Sequence, residues 1–458
     1  MILNNFIIYE LNEVPPRLFK KYIREKPKSN FAKIYKYGIF KETITKDDGE
    51  LHPWSTWPSL HRGVPNSKHN IRYLNQDLKF ANEKYPPLWV SLASSGIDVG
   101  VFGSLQSFPP IYGEKYKFYL PDTFAPNPES FPKEIENFQK FNLKLAGDNK
   151  AINLRYDYKT IFNFSQLIFK RTINFSSAIR AFIHVIKEII NPKYKKRRSL
   201  MQPILGFDVF WKHFLKYQPK VSTFFTNHVA GMMHRYWYAT FPEDIGLNEK
   251  EVDKFNSESI FKAMDIADKQ VGIISEYCDK NSSNLLIISS MGQEYIDWGE
   301  YKPEIFLSDS SKFIKMLGLS NKDYSLFPAM QPDIVFGCSS QKSLNKLINA
   351  IENLQDEDGN KLIKLKYSPS GLRANFSLGV QTDSLSKKAQ IFNKETKLFN
   401  KIGDYGLKFF VRDKGTAYHV PEGILLAYGK SSKHFNFDNK KLVDICEIKP
   451  KILDLFTT

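Results

Sequence analysis

Cysteine is scarce in this chain: three in 458 residues, at 278, 338 and 446, with no CxxC spacing. An odd, scattered set makes neither a disulfide framework nor a zinc knuckle, and it points to a reducing compartment. Long apolar runs are lacking as well. No stretch of about 18 apolar residues is present to span a bilayer, and the start "MILNNFIIYE" has no basic region ahead of a long apolar core. The expected location is therefore cytoplasmic, or peripheral to a membrane. Single-piece catalytic signatures are missing too: there is no P-loop, no GxGxxG, no GxSxG and no HExxH. The phosphate-cradle, nucleophile-elbow and zincin readings that depend on them fall away. No internal repeat or low-complexity tract is present.

Acidic residues are outnumbered, 49 against 65 basic, for a formal net charge of +16. That excess suits an anionic partner such as nucleic acid, an acidic glycan or a phospholipid surface, or else a solvated Lys-rich exterior. Nucleic acid rests on charge alone and ranks last. The densest run, "NPKYKKRRS" (191–199), follows the amphipathic "SAIRAFIHVIKEII" (177–190). Such a pairing fits either docking on an anionic membrane or an exposed connector.

Apolar and aromatic residues, at 42% and 14%, are ample for a packed core. Short apolar runs read as buried strands at 5–11, 98–103, 222–227, 284–289 and 423–428, and helical spacing predicts a long helix over 257–278. Their alternation argues for an α/β/α sandwich with a mainly parallel sheet. Two stretches break it. Residues 140–217 read as a helical insertion able to cap a site, and 331–409 as a small α+β insertion. The core is then expected in three parts, 1–139, 218–330 and 410–458.

The chemistry is expected at a series of polar strand tips, where parallel sheets gather their sites. These are "YELNEVPPRLF" with Glu10, Asn12 and Glu13; "HPWSTWPSLHRGVPNSKHNI" (52–71) with Ser55 and Thr56; "TNHVAGMMHRYW" (226–237) with Asn227, His228, His234 and Arg235; "SSMGQE" (289–294) with Ser290 and Gln293; and "GTAYHVPEG" with His419. Each has a plainer structural reading. Glu10 and Glu13 can cap the helix that "PPRLF" begins, Thr56 can be a turn or cap residue, and His234 can be a packed core histidine. His61 and His69 suit the turn, and Tyr236–Trp237 suits the core.

In this order the tips resemble the alkaline-phosphatase superfamily, in particular its nucleotide pyrophosphatase/phosphodiesterase branch. "PLWVSLASSGIDVGVFGSLQSFPP" (87–110) and "LVDICEIKPKILDLF" (442–456) resemble further blocks of that family. The resemblance implies an alkaline-phosphatase-like fold, two divalent metals and a Thr or Ser nucleophile acting on a phosphate- or sulfate-type ester. Carried over by position, Thr56 matches the nucleophile, with Ser55 as the alternative, and His234 and His419 match two metal-binding histidines. Asn12, Ala230, Ser290 and Met291 stand where the remaining ligands belong. A hydroxyl and a thioether do not replace Asp and His for a hard ion, so a normal two-metal centre is not expected. A zinc or manganese ion on His234 and His419 stays open.

Two readings follow. In one the site is rebuilt as a hydrolase or transferase. Arg235 clamps the anion, His234 or His419 acts as acid or base with Glu10 or Glu13 orienting it, and Asn12, Glu13, Ser55, Asn227, His228, Ser290 and Gln293 bind an anionic small-molecule, glycan or nucleotide-sugar substrate. In the other, catalysis is lost and the former cleft binds an anionic glycan or a partner protein. The density of polar groups at the tips favours the first.

Overall fold

The computed structural model describes residues 4–146, 165–169, 171–297, 304–330, 332–378, 390–410 and 415–457. Two units are distinguished: Met1–Asn70 with Ala81–Asp297 and Gly415–Thr458, and Ile71–Phe80 with Trp298–Lys414.

The first unit is built on strands β1 (Phe6–Leu11), β2 (Ile39–Ile44), β3 (Val99–Phe102), β4 (Tyr116–Leu120), β5 (Val221–Thr226), β6 (Asn284–Ile288), β7 (Gly292–Tyr295), β8 (Ala417–Val420), β9 (Glu422–Gly429) and β10 (Leu442–Asp444). Eight of them form one sheet in the order β10-β2-β9-β6-β1-β5-β3-β4, while β7 and β8 pair as a separate antiparallel ribbon. Within the large sheet only β9 runs against its neighbours. This is the mainly parallel α/β arrangement expected from the alternating runs. All six residues of β1 are buried, as a strand covered on both faces requires. Ile7, Tyr9 and Leu11 enter one apolar cluster and Phe6 and Ile8 the other, which follows from the two-residue period of a strand.

Helices α1 (Pro16–Glu25), α2 (Pro53–Arg62), α3 (Phe175–Ile190), α4 (Met201–Tyr217), α5 (His228–Thr240) and α6 (Lys254–Asn281) matter most for the site and its surroundings. The helix expected at 257–278 extends to 28 residues because Asp253 caps its N-terminus through Asn256 and Ser282 ends it in the left-handed conformation. The stretch 140–217 carries helices and no strand among the described residues; 147–164 and 170 lie outside them. Its last helix, α4, packs on the sheet, with the Phe210 ring 4.8 Å from Phe224 of β5.

The basic run at 191–199 does not face outward as a whole. Arg197 and Arg198 are buried. Arg197 donates to Ser259 Oγ and to the Phe255 carbonyl, and Arg198 grips the Glu188 carboxylate with two nitrogens. Neither an exposed connector nor a solvated charge cluster describes these two side chains.

The second unit has its own core, in which Leu344, Leu347 and Ile351 of the helix Gln341–Glu352 meet Ile334 and Phe336 of the strand Asp333–Cys338. That strand lies in a four-stranded antiparallel sheet with Lys364–Leu365, Arg373–Ser377 and Tyr324–Phe327. The insertion expected at 331–409 falls inside this unit.

Candidate functional site

The strand register brings the polar tips together. Leu11 of β1 sits opposite Thr226 of β5, and Glu10 opposite Ile288 of β6. The three strands are parallel, so the residues that follow them emerge at one edge: Asn12 and Glu13, Asn227, and Ser289 to Gln293. Strand β9 runs the other way and begins where they end, which delivers the preceding hairpin strand β8 to the same edge. His419 of β8 is the register partner of Gln293 on β7. Helix α5, leaving β5, supplies His234.

At this edge Glu13, His234 and His419 converge. Glu13 Oε2 lies 3.3 Å from His234 Nε2 and 3.5 Å from His419 Nε2, and the three ligand atoms lie within 4.8 Å of one another. Each imidazole is held from behind. His234 Nδ1 is 3.0 Å from the Ala417 carbonyl and His419 Nδ1 is 2.6 Å from the Leu51 carbonyl. A carbonyl only accepts, so both Nδ1 atoms carry hydrogen and both Nε2 atoms point at the carboxylate. Lone pairs on those nitrogens facing a carboxylate repel unless a proton or a metal cation lies between. Two His held through the opposite nitrogen, plus one carboxylate, make a cation-binding set. A tetrahedral ion with bonds of about 2.0–2.1 Å holds its ligand atoms about 3.3 Å apart, which the two distances from Glu13 match. Burial acts to raise the Glu13 carboxyl, but the facing His419 and His234 outweigh it and hold the carboxyl well below the usual carboxylate range. The His234 side chain, 36% exposed against 3% for Glu13, is the open side of the set.

Glu13 adopts φ 61°, a left-handed conformation that glycine takes readily and a glutamate rarely. Residues strained in this way concentrate at functional sites. Here the conformation turns the carboxylate off the end of β1 toward the two imidazoles.

The second set of ligands that the resemblance implies does not fit a metal. Asn12 stands between three partners. Its Oδ1 accepts from Trp57 Nε1 at 2.7 Å, and its amide nitrogen donates to Glu13 Oε1 at 2.7 Å and to Asn227 Oδ1 at 2.6 Å. Gln293 donates to Glu13 Oε2 and to the Ala230 carbonyl. Ser290 Oγ lies 2.8 Å from Thr56 Oγ1, and Met291 is buried. Hydrogen bonds from uncharged amide, indole and hydroxyl groups fill this space, two of them ending on the Glu13 carboxylate.

The remaining expected residues separate from this centre. Glu10, an even-numbered residue of β1, points to the opposite face from Leu11, where Oε1 lies 2.7 Å from His61 Nε2 in a setting of Trp57 and Trp89. It does not orient His234 or His419; Glu13 faces both. Neither glutamate caps α1, whose N-cap is Pro15 with no side-chain cap bond. Thr56 is not a cap either, because α2 starts at Pro53 after His52. Ser55 turns away from Thr56 into a knot around Asp47 and Asn66, while Ser59 joins Asp47 to His69. His228 is buried, and its Nε2 donates to the Ala263 carbonyl 3.0 Å away. Burial pushes this imidazole down to about 4. Arg235 is half-buried and donates to its own helix at the Gly231 carbonyl, 3.4 Å away. Tyr236 and Trp237 are core residues.

Three participants left no sequence signal. The carbonyls of Leu51 and Ala417 orient the histidines, and a backbone oxygen carries no residue type to recognise. Arg17 of α1 ties Glu294 to Asp244, at 3.1 Å and 2.8 Å, beside the strand that carries Gln293.

No family model matches the chain, and a search of curated proteins likewise returned no match. Among solved structures, the chain is similar over nearly its whole length to ectonucleotide pyrophosphatase/phosphodiesterase 5. The murine protein aligns with a TM-score of 0.37 and 11% identity over 99% of this chain and 95% of that one. The human protein aligns with a TM-score of 0.38 and 12% identity over 99% and 94%. An inactive form of the murine protein in complex with AMP gives a TM-score of 0.38 and 12% identity, again over 99% and 94%.

Proposed function

We propose that this chain is an alkaline-phosphatase-like hydrolase or transferase for a phosphate- or sulfate-type ester, working with one cation at Glu13, His234 and His419 rather than two. The observation that carries the reading is the convergence of two Nε2 atoms on an ionised, buried carboxylate, with both Nδ1 atoms anchored to carbonyls. Zinc or manganese suits that donor set. A divalent ion held there supplies positive charge for the oxygens of the ester. Thr56, in the first turn of α2, is the nucleophile, and Ser290 Oγ, 2.8 Å away, holds its hydroxyl in place. Arg235, whose side chain has the Gly231 carbonyl as its partner among the described residues, serves as the anion clamp. An anionic glycan or nucleotide-sugar is the substrate class this reading takes, with helices of 140–217 as a cap and a cytoplasmic setting.

One observation favours the other reading, a catalytically inactive member that binds an anionic ligand or a partner protein: the Thr56 side chain is fully buried. The deciding experiment pairs elemental mass spectrometry of the purified chain with a phosphoesterase and sulfatase screen of wild type and Thr56→Ala. About one equivalent of zinc or manganese, with turnover that Thr56→Ala abolishes, is the expected outcome. Bound metal without turnover leaves the binding reading. No metal after supplementation removes the proposed centre, and full activity in Thr56→Ala removes the nucleophile.

A further inference from the structure

Helix α3 is amphipathic the wrong way round for a helix of a protein core. The side chains it buries are polar: Ser177, His184 and Glu188, with Ala178. Glu188 is gripped by Arg198, and His184 Nε2 lies 3.2 Å from Glu188 Oε1. The side chains it turns outward are large and apolar: Phe175, Ile179, Phe182, Ile183, Ile186 and Ile190, from 39% exposed at Ile186 to 78% at Ile190. At 100° per residue these six fall within an arc of about 80–100°. Ile189, 77% exposed, lies beside them. A contiguous apolar face of this size marks an interaction site.

The rim of the face is basic. Arg180 and Lys187 are exposed on α3 and fall about 40–60° beyond the edge of the apolar arc. The following turn, Pro192–Leu200, holds Lys193 and Lys196 exposed, with Asp253 3.6 Å from the Lys193 ammonium. Glu188 is the sole acidic residue between 171 and 200, and Arg198 occupies it. The inward turn of Arg197 and Arg198 therefore leaves an apolar stripe with lysines beside it and no exposed carboxylate from this segment.

We propose that the outward face of α3 docks on an anionic phospholipid surface, its isoleucines and phenylalanines entering the headgroup boundary and its flanking lysines meeting lipid phosphates. At 16 residues α3 is about 24 Å long, shorter than the roughly 30 Å apolar thickness of a bilayer, so it lies in the interface plane rather than across it. No helix among the described residues is long and apolar enough to cross a membrane. Charge selects lipid over a second copy: pairing two such faces would set two basic rims together on chains that each carry +16. The proposal does not rest on the ester chemistry above: α3 lies in the stretch read as a cap, but Glu13, His234, His419 and Thr56 do not enter the docking face.

The test is co-sedimentation of the full chain with vesicles of phosphatidylcholine and of an equal phosphatidylcholine–phosphatidylserine mixture, with light scattering of the protein alone. Binding is expected to the mixed vesicles and to be lost in the triple variant Phe182→Ser, Ile186→Ser, Ile190→Ser. These positions face outward, so circular dichroism should be unchanged. Replacing Lys193 and Lys196 by Ala should weaken binding about thirtyfold, the fold-change for two cations near an anionic surface. No binding to the mixed vesicles, or equal binding by the triple variant, overturns the proposal. So does a wild-type dimer that the triple variant makes monomeric, which assigns the face to a second copy.

Discussion

His228 titrates differently in the folded and unfolded chain, and the structure supplies both the reason and the size. Its Nε2 hydrogen goes to the Ala263 carbonyl, and Nδ1 has no hydrogen-bond partner among the described residues. A second proton would have to sit on Nδ1, buried and without an acceptor, at the positive N-terminal end of α5. The unfolded chain binds that proton below about 6.5, whereas the folded one, with burial pushing the imidazole down to about 4, does not. Between those values the unfolded state holds more protons, so stability rises with pH and is lost on acidification. The loss from this one residue is about 2 kcal/mol from pH 7 to pH 5 and about 3 kcal/mol by pH 4. In His228→Met the titration is gone, at a cost at pH 7 of about 1–2 kcal/mol for the missing hydrogen bond. Urea unfolding of both proteins from pH 7 to pH 4 should therefore show the gap closing near pH 5 and reversing below it. A gap constant to within about 0.5 kcal/mol from pH 7 to pH 5 would refute the reasoning.

Three further substitutions probe the site and its frame. Glu13→Gln keeps the shape but sets an amide nitrogen against the amide of either Asn12 or Gln293 and removes the carboxylate that faces the two imidazoles. It should lower stability in chelator by about 3–5 kcal/mol and abolish metal uptake, and unaltered metal content would count against the three-ligand set. Asn12→Asp replaces a donor 2.7 Å from Glu13 by a second carboxylate. A loss of about 2–3 kcal/mol in chelator, recovered in part by added zinc, is expected from chemical denaturation; no loss would mean the Asn12 network is dispensable. Gly292→Ala puts a Cβ 2.3 Å from the Glu422 carbonyl oxygen and 2.8 Å from Pro15 Cβ. The backbone must shift, so thermal unfolding should report a loss of about 1–3 kcal/mol, and an unchanged melting temperature would show more room than the structure allows.

What the sequence determined by itself is the frame. The runs at 5–11, 222–227 and 284–289 centre on apolar and β-prone residues because a parallel sheet covered on both sides favours them, and they became β1, β5 and β6 almost residue for residue. The order of polar tips was legible for the same reason, since parallel strands end at a common edge. The sequence also marked His234 and His419, and the positions 12, 230, 290 and 291 where the resemblance implies further ligands that are not there. It could not choose between Glu10 and Glu13, or between Ser55 and Thr56. One residue of phase decides which face of a strand or helix a side chain leaves by, and the left-handed turn at Glu13 breaks the strand's alternation at the point that matters. Nor could it show that Leu51 and Ala417 aim the histidines, or that Arg197 and Arg198 turn inward and leave α3 apolar on its open side. Those outcomes rest on contacts between residues far apart in the chain, where packing and the pairing of buried charge, rather than local preference, set the direction of each side chain.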